Sequence, residues 1–199
     1  MRMLVVGATG TIGQAVVQLL GQRHDVVAAS RQAAAIKVDM SQPDSIRALF
    51  HAVGQVDAIV SVAGAAKFAL LANLSDADFQ FCLENKLMGQ VNLVRLGLAH
   101  VREGGSITLT SGVLAHSPMP GSAAISLVNA GLEGFARAAA IEAPRGIRVN
   151  VVSPPWVTET LIKFKMDPAP GKPAGAVAEL YAHSVEGGAT GKIFELPRI

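Results

Sequence analysis

Gly7, Gly10 and Gly13 interrupt the chain just after the apolar run Leu4-Val5-Val6, and the residues beyond them take up a helical pattern. A strand that turns through spaced glycines into a helix suits one chemistry above others, the cradling of a pyrophosphate. Glycines let backbone approach the anion, and the new helix aims its first amides and the positive end of its dipole at it. Gly7, Thr9, Gly10, Thr11, Ile12 and Gly13 are therefore candidate phosphate-binding residues of a dinucleotide site. A Gly-rich turn serving packing alone is the structural alternative.

Ser30-Arg31 closes the next apolar run. In dinucleotide folds an acidic residue there bonds the adenosine ribose 2′-hydroxyl, whereas a basic one accommodates a 2′-phosphate. No carboxylate stands at that point. A guanidinium grips phosphate oxygens bidentately and a hydroxyl adds a donor, so NADP(H) is expected over NAD(H), with a solvated arginine as the alternative. Asp39, a little further on, is expected to accept from the adenine amino group or to serve a turn or cap.

The elements that must position these residues follow from hydrophobic pattern. Short Val/Ile/Ala-rich runs alternate with longer helical patterns, which predicts βαβ units around a parallel sheet. Strands are expected over 3–6, 26–30, 36–38, 58–62, 106–110, 148–152 and 192–196. The expected fold is α/β, a doubly wound seven-stranded parallel sheet of Rossmann type in three layers, one NADP(H)-binding domain over 1–199. One helix is predicted to start at Ser41-Gln42-Pro43-Asp44, with the serine as cap and proline in the first turn. The Pro/Gly-rich stretch 167–175 is expected to be a mobile loop.

Composition bounds the rest. At 199 residues, 50% hydrophobic and 16% charged, the chain fits one domain with a sizeable core. Its net charge of +2 and the lack of a basic run argue against nucleic acid. Lone Cys82 reads as a packed helical thiol, and the five histidines are scattered without metal-ligand spacing, so no metal is expected. No apolar run reaches the length of a signal peptide or membrane span, so the expectation is a soluble cytoplasmic protein without membrane contact.

Further blocks carry a resemblance along nearly the whole chain. After the glycine turn come Ser61-Val62-Ala63-Gly64, Pro118-Met119-Pro120-Gly121, the helical run from Gly134 to Glu142, and Arg145-Gly146-Ile147-Arg148-Val149-Asn150-Val151-Val152-Ser153-Pro154. In order and spacing this resembles the short-chain dehydrogenase/reductase family, with its N-N-A-G and R-V-N-x-x-x-P-G segments. Pro155 takes a glycine position, the middle glycine of the first motif is shifted, and the chain is shorter than most members. The resemblance implies a nicotinamide cofactor, Ala63 and Gly64 beside it, and Pro154, Val157, Thr158 and Thr160 near the nicotinamide carboxamide. Thr158 and Thr160 are alternatively caps of a short helix, and Trp156 is as well placed for core or lid as for a substrate platform.

The family's catalytic set does not carry over. Its reaction uses a tyrosine that gives or takes the proton at the substrate oxygen, and a lysine four residues later that lowers the phenol's pKa from about 10. Those positions here are Ile125 and Asn129, and the only tyrosine is Tyr181. The family's serine aligns with Gly112, next to Ser111, and its helix asparagine with Lys86, next to Asn85. Lys86 and Asn129 look like an exchanged pair facing each other across the nicotinamide ribose, so Lys86 is expected to bond the ribose hydroxyls from the opposite helix and Asn129 to lie at the cofactor, with chance replacement and a solvated lysine as the alternative. If chemistry survives, the proton comes from Ser111, Lys86, Lys67 or His116, the last because an imidazole ordinarily titrates near neutrality, with a surface-loop histidine without a role as its alternative.

Small residues on the helix predicted over 122–143 (Ala123, Ala124, Ala130, Gly131, Gly134, Ala138) allow close helix approach, and the resemblance implies a homodimer or homotetramer. They serve alternatively to admit a neighbouring helix. Three functions stay open: an NADP-dependent oxidoreductase with an unusual active site and a small-molecule substrate, a catalytically silent NADP(H)-binding sensor or partner, and an isomerase or lyase using the same pocket.

Overall fold

The structure, a computed structural model, describes residues 1–197. Seven parallel strands form one sheet: β1 (Arg2–Val6), β2 (Asp25–Ser30), β3 (Ile36–Lys37), β4 (Val56–Ser61), β5 (Val101–Thr110), β6 (Arg148–Val152) and β7 (Ile193–Phe194), in the order β3-β2-β1-β4-β5-β6-β7. Central parallel strands are covered on both faces, so they read as continuous apolar runs. Met3, Leu4, Val5 and Val6 are accordingly all fully buried.

The pleat sends alternate residues of β1 to two cores. Leu4 and Val6 pack with Phe50, Leu93 and Leu132 from α2 (Pro43–Val53), α4 (Gly89–Gly97) and α5 (Ala123–Glu142). Met3 and Val5 pack with Val16, Leu20, Val177 and Tyr181 from α1 (Thr11–Leu20) and α7 (Ala174–Glu186). Two shorter helices, α3 (Asp76–Cys82) and α6 (Thr158–Lys163), flank the C-terminal edge. This is the expected three-layer, doubly wound arrangement. The chain reverses direction across the sheet between β1 and β4, and a crevice opens at their carboxyl ends, where such folds place ligands.

Some local readings are corrected. β5 starts at Val101 instead of 106, because the polar segment 102–105 continues the strand through a register shift opposite Asp57. Ser41 does not cap α2: Gln42 stands at the cap without a side-chain bond, while Ser41 donates both its amide and its hydroxyl to Asp39. The stretch 167–175 is tied at its end. Lys172 bridges to Val157, and the Glu159 carboxylate accepts from the Ala174 amide at 3.0 Å, where α7 starts. Cys82 is buried at the end of α3, as read from the sequence, and its Sγ accepts from the Lys67 amide.

The Arg-Val-Asn block is structural. Arg148 donates to the carbonyls of Ser184, Val185 and Gly187, holding the C-terminal end of α7 where a cation meets unsatisfied carbonyls. Asn150 bonds Ala189 O and the Lys192 amide, steering the chain into β7.

Candidate functional site

The phosphate turn depends on missing Cβ atoms. Gly7 sits at φ 88°, and a Cβ there would lie 2.7 Å from the Ala63 amide nitrogen. A Cβ on Gly13 would lie 2.0 Å from Gly7 O, inside van der Waals contact. Gly10 caps α1 with no side-chain bond, and the first helical amide to find an acceptor is Gln14, on Gly10 O at 2.9 Å. The amides of Thr11, Ile12 and Gly13 find no acceptor among the described residues and are left to an outside one. Gln14 Nε2 also donates to Thr9 O, fixing the turn's exposed tip. Ten-residue α1 thus presents a donor cluster at its positive end, which fits a pyrophosphate.

A cleft of about 200 Å³ runs from Gly7 past Ser30, Arg31, Asp39, Ala63 and Gly64, with Asn85 on its rim. Ser30 Oγ accepts from the Ala33 and Ala34 amides at 3.1 and 2.8 Å, so it first of all shapes the loop after β2. Arg31 Nη2 meets Asp39 Oδ2 at 3.0 Å with most of its side chain in solvent. The Ser41 hydroxyl, ahead of burial, which opposes it, and of the Ser41 amide and Arg31, holds the Asp39 carboxyl below the usual carboxylate range. Asp39 therefore fills the turn role and orients Arg31.

A second cleft, of about 250 Å³, lies between the ends of β5 and β6 and α5. Lys86, Ser111, Gly112, Ile125 and Asn129 line it, with Ile12, Pro154, Val157 and Thr160 opposite. Lys86 rides on a π-helical turn, Leu83–Met88, between α3 and α4, an irregularity frequent at functional sites. Its stem lies over Gly64, where a Cβ would be 2.9 Å from Lys86 Cγ. Lys86 Nζ donates to Ser111 O at 3.1 Å and Asn129 Nδ2 to Gly112 O at 3.3 Å, so the supposed exchanged pair grips two successive carbonyls. Asn129 Oδ1 is buried without a partner among the described residues.

The remaining candidates sort by contact. Ser111 turns its hydroxyl to Glu133 Oε1 at 2.8 Å, and Glu133 Oε2 lies 2.6 Å from His116 Nε2. Sequence reasoning passed over Glu133; the available signal was a carboxylate four residues after Asn129 on the same helical face. Lys67 pairs with Asp78 at 3.8 Å at the start of α3 and does not line the cleft. Thr160 reaches the cleft; Thr158 opens α6 and caps nothing, its amide donating to Lys172 O. Trp156 borders both this cleft and a neighbouring cavity of about 380 Å³. Tyr181 is fully buried against Thr110, and burial raises its phenol, so it takes no part.

Burial lowers the Lys86 ammonium to about 8 from 10.5. The sign follows from which state binds the proton more tightly. Unfolded chain holds it more strongly, so the penalty on folding is complete below pH about 8 and vanishes as pH rises through 10.5. Lys86→Met is expected to gain about 1–3 kcal/mol at neutral pH, roughly 2–8 °C in Tm, and much less near pH 10.5. Thermal melts at the two pH values check this; equal gains at both would show that the ammonium carries no penalty.

Comparison with known proteins agrees with this geometry. Residues 9–173 match the family model described as enoyl-(acyl carrier protein) reductase. A Listeria innocua protein of known crystal structure superposes with a TM-score of 0.96 at 38% identity, covering 99% of this chain and 100% of that one. A small-chain dehydrogenase crystallised in complex with NADPH superposes at 0.86 with 24% identity, over 98% and 96%, a likeness of fold. Carbonyl reductase family member 4 of Xenopus tropicalis is 31% identical over 77% of this chain and 74% of its own length. An uncharacterized oxidoreductase of Methylorubrum extorquens is 33% identical over 66% of this chain, which spans 55% of that protein's length. With its parallel sheet, its glycine turn and these matches, the chain belongs to the short-chain dehydrogenase/reductase family.

Proposed function

We propose that the protein binds NADP(H) and acts as an oxidoreductase whose proton-handling groups differ from the family's usual four. One observation carries the reading: three amides at the start of α1 without an acceptor among the described residues, in a turn that closes because no Cβ stands at Gly13, lie beside two clefts, one lined by Ile12 and the other by Gly7. When bound, the nicotinamide supplies hydride chemistry. The amides of Thr11, Ile12 and Gly13 hold the pyrophosphate. Arg31, with donors to spare beyond Asp39, holds the 2′-phosphate with the Ser30 hydroxyl. Lys86 and Asn129 serve the nicotinamide ribose, and Pro154, Val157, Thr158 and Thr160 wall the ring. The NADPH complex of a neighbour in fold is consistent with this choice of cofactor.

The proton at the substrate oxygen falls to groups of the second cleft. Lys86 Nζ has donors beyond the one on Ser111 O, and its burial makes it release a proton more readily than a solvated lysine. A second reading, a silent NADP(H) binder, has one observation in its favour: Ile125 brings no ionisable group to the cleft.

NADPH is expected to bind several-fold more tightly than NADH, with Arg31→Ala erasing the difference and leaving NADH affinity unchanged. Calorimetric titration of both nucleotides tests the reading. Equal affinities, or an Arg31→Ala protein with parental NADPH binding, refute the 2′-phosphate assignment; no binding of either refutes the function.

We further propose a homodimer or homotetramer built on α5. Leu127, Ala130, Gly134, Ala138 and Ile141 form an exposed stripe along it, whereas Ala124 is buried and Gly131 receives Leu87 within the chain. Gly134→Arg is expected to shift the assembly to monomers in sedimentation; a parental profile would place the interface elsewhere. No helix among the described residues is long and apolar enough to cross a membrane, and a cytoplasmic site of action remains part of this proposal.

A further inference from the structure

Glu133 is the most unusual charged residue of the chain. It is 1% exposed, at mid-length of α5, yet both carboxylate oxygens are engaged: Oε1 accepts from Ser111 Oγ at 2.8 Å and Oε2 meets His116 Nε2 at 2.6 Å. Burying a carboxylate is costly unless it is paired and hydrogen-bonded, and here both partners come from the segment that walls the second cleft. Ser111 lines that cleft; His116, five residues later, exposes 39% of its side chain to solvent. One carboxylate therefore joins the cleft to water. Among the described residues, the other charged groups facing the array are Glu195, 4.0 Å from His116 Nε2 and engaged elsewhere as well, and Lys86, whose Nζ donates to the Ser111 carbonyl.

The geometry points to one proton-sharing array, Ser111–Glu133–His116, through which the cleft exchanges protons with solvent. It deepens the proposed function and rests on that reading for the chemistry it serves. In the direction that oxidises an alcohol, the substrate hydroxyl passes its proton to Ser111 Oγ as Ser111 gives its own to Glu133 Oε1. The proton shared between Glu133 Oε2 and His116 Nε2 settles on the imidazole, which releases one to water from its exposed face. One proton leaves the substrate oxygen and one reaches solvent, and the accompanying hydride goes to the oxidised nicotinamide dinucleotide. Reduction runs the same transfers backwards. Ser111 is the group at the substrate; Glu133 and His116 act through it as positioning residues.

The array is tested first without cofactor or substrate, by NMR titration of the His116 ring and the Ser111, Gly112 and Lys86 amides. The cleft amides are expected to follow the His116 midpoint. Glu133→Gln is expected to uncouple them, since the carboxylate that joins Ser111 to His116 is gone. His116→Ala removes the shared inflection without touching α5, which covers the case of a Glu133→Gln protein that fails to fold. Cleft amides that ignore His116 overturn the proposal.

The second arm is turnover with NADP(H). Glu133→Gln is expected to lower kcat about tenfold to a hundredfold with KM unchanged, and added imidazole to restore His116→Ala but not Glu133→Gln. Parental kcat and pH profile in Glu133→Gln overturn the relay even if the NMR coupling is present. A parent protein that turns over nothing ends the proposed oxidoreductase, and the relay with it, while NADPH binding and the NMR coupling separately report whether the cofactor site and the proton-sharing geometry stand.

Discussion

Gly13→Val is expected to weaken NADPH binding at least a hundredfold. A Cβ at this position falls 2.0 Å from Gly7 O and close to the backbone of Ala8, so the turn between β1 and α1 must open to admit it. Neither obstacle is a movable side-chain tip; both are backbone, and forced overpacking of backbone costs about 1–3 kcal/mol or more. Opening the turn displaces the three amides that hold the pyrophosphate, and a displacement of even an ångström there forfeits charge-assisted hydrogen bonds. Gly10→Ala is the control. Its Cβ would sit 3.4 Å from Gly7 O, and its φ of −76° suits any residue. That variant is expected to fold normally and bind within a few-fold of the parent. Fluorescence titration together with a thermal melt separates lost binding from lost fold, and Gly13→Val with parental affinity would place the dinucleotide away from this turn.

The second large effect concerns turnover. A positioned general acid contributes about a hundredfold to ten-thousandfold, and the cleft holds Ile125 and Asn129 where the resemblance places a phenol and its lysine. Reduction of generic aldehydes and ketones by NADPH is expected to run slower by about that factor than in a family member with the full set. Ile125→Tyr combined with Asn129→Lys is expected to raise it at least tenfold. Adding Gly112→Ser, which completes the family's set on paper, is expected to undo the gain. Gly112 sits at φ 156° and ψ 156°, a region almost reserved for glycine, and a Cβ there would lie 3.0 Å from Asn129 Nδ2. Strain of about 1–3 kcal/mol follows at the floor of the cleft. NADPH oxidation followed across a carbonyl panel decides the matter. A parent reducing common carbonyls at ordinary family rates would show that the groups already in the cleft match the missing phenol, and Lys86 and Ser111 would be the first to mutate.

What the sequence disclosed and what it hid divide along contact range. β1, its glycines and the helix after them are local: an apolar run, a break and a periodicity settle them between Arg2 and Leu20. Ser30-Arg31 was legible as a pair, but its geometry was not, because the Arg31–Asp39 bond depends on how the loop after β2 folds back. Asp39 read equally as an adenine acceptor or a turn residue, and its two bonds from Ser41 show the turn role, fixed by how the chain folds back after β3. Glu133 was invisible as a site residue, since its partners at 111 and 116 come from a different element. The Arg148 and Asn150 side chains carried a family motif whose work, holding α7 and the approach to β7, emerges only once strands far apart in sequence lie side by side. Lys86 was found by counting against the family. The π-helical turn that swings it over Gly64, with Asn85 sent to the other cleft, was not countable.

The most direct measurement is a crystal structure with NADPH bound. The account predicts the pyrophosphate on the amides of Thr11, Ile12 and Gly13, the 2′-phosphate against Arg31, and Lys86 Nζ within hydrogen-bonding distance of a nicotinamide-ribose hydroxyl, with Asn129 on the facing helix. A nucleotide seated elsewhere would contradict the cofactor assignment, and a bound nicotinamide with the Lys86 ammonium in open solvent would contradict the rebuilt active site.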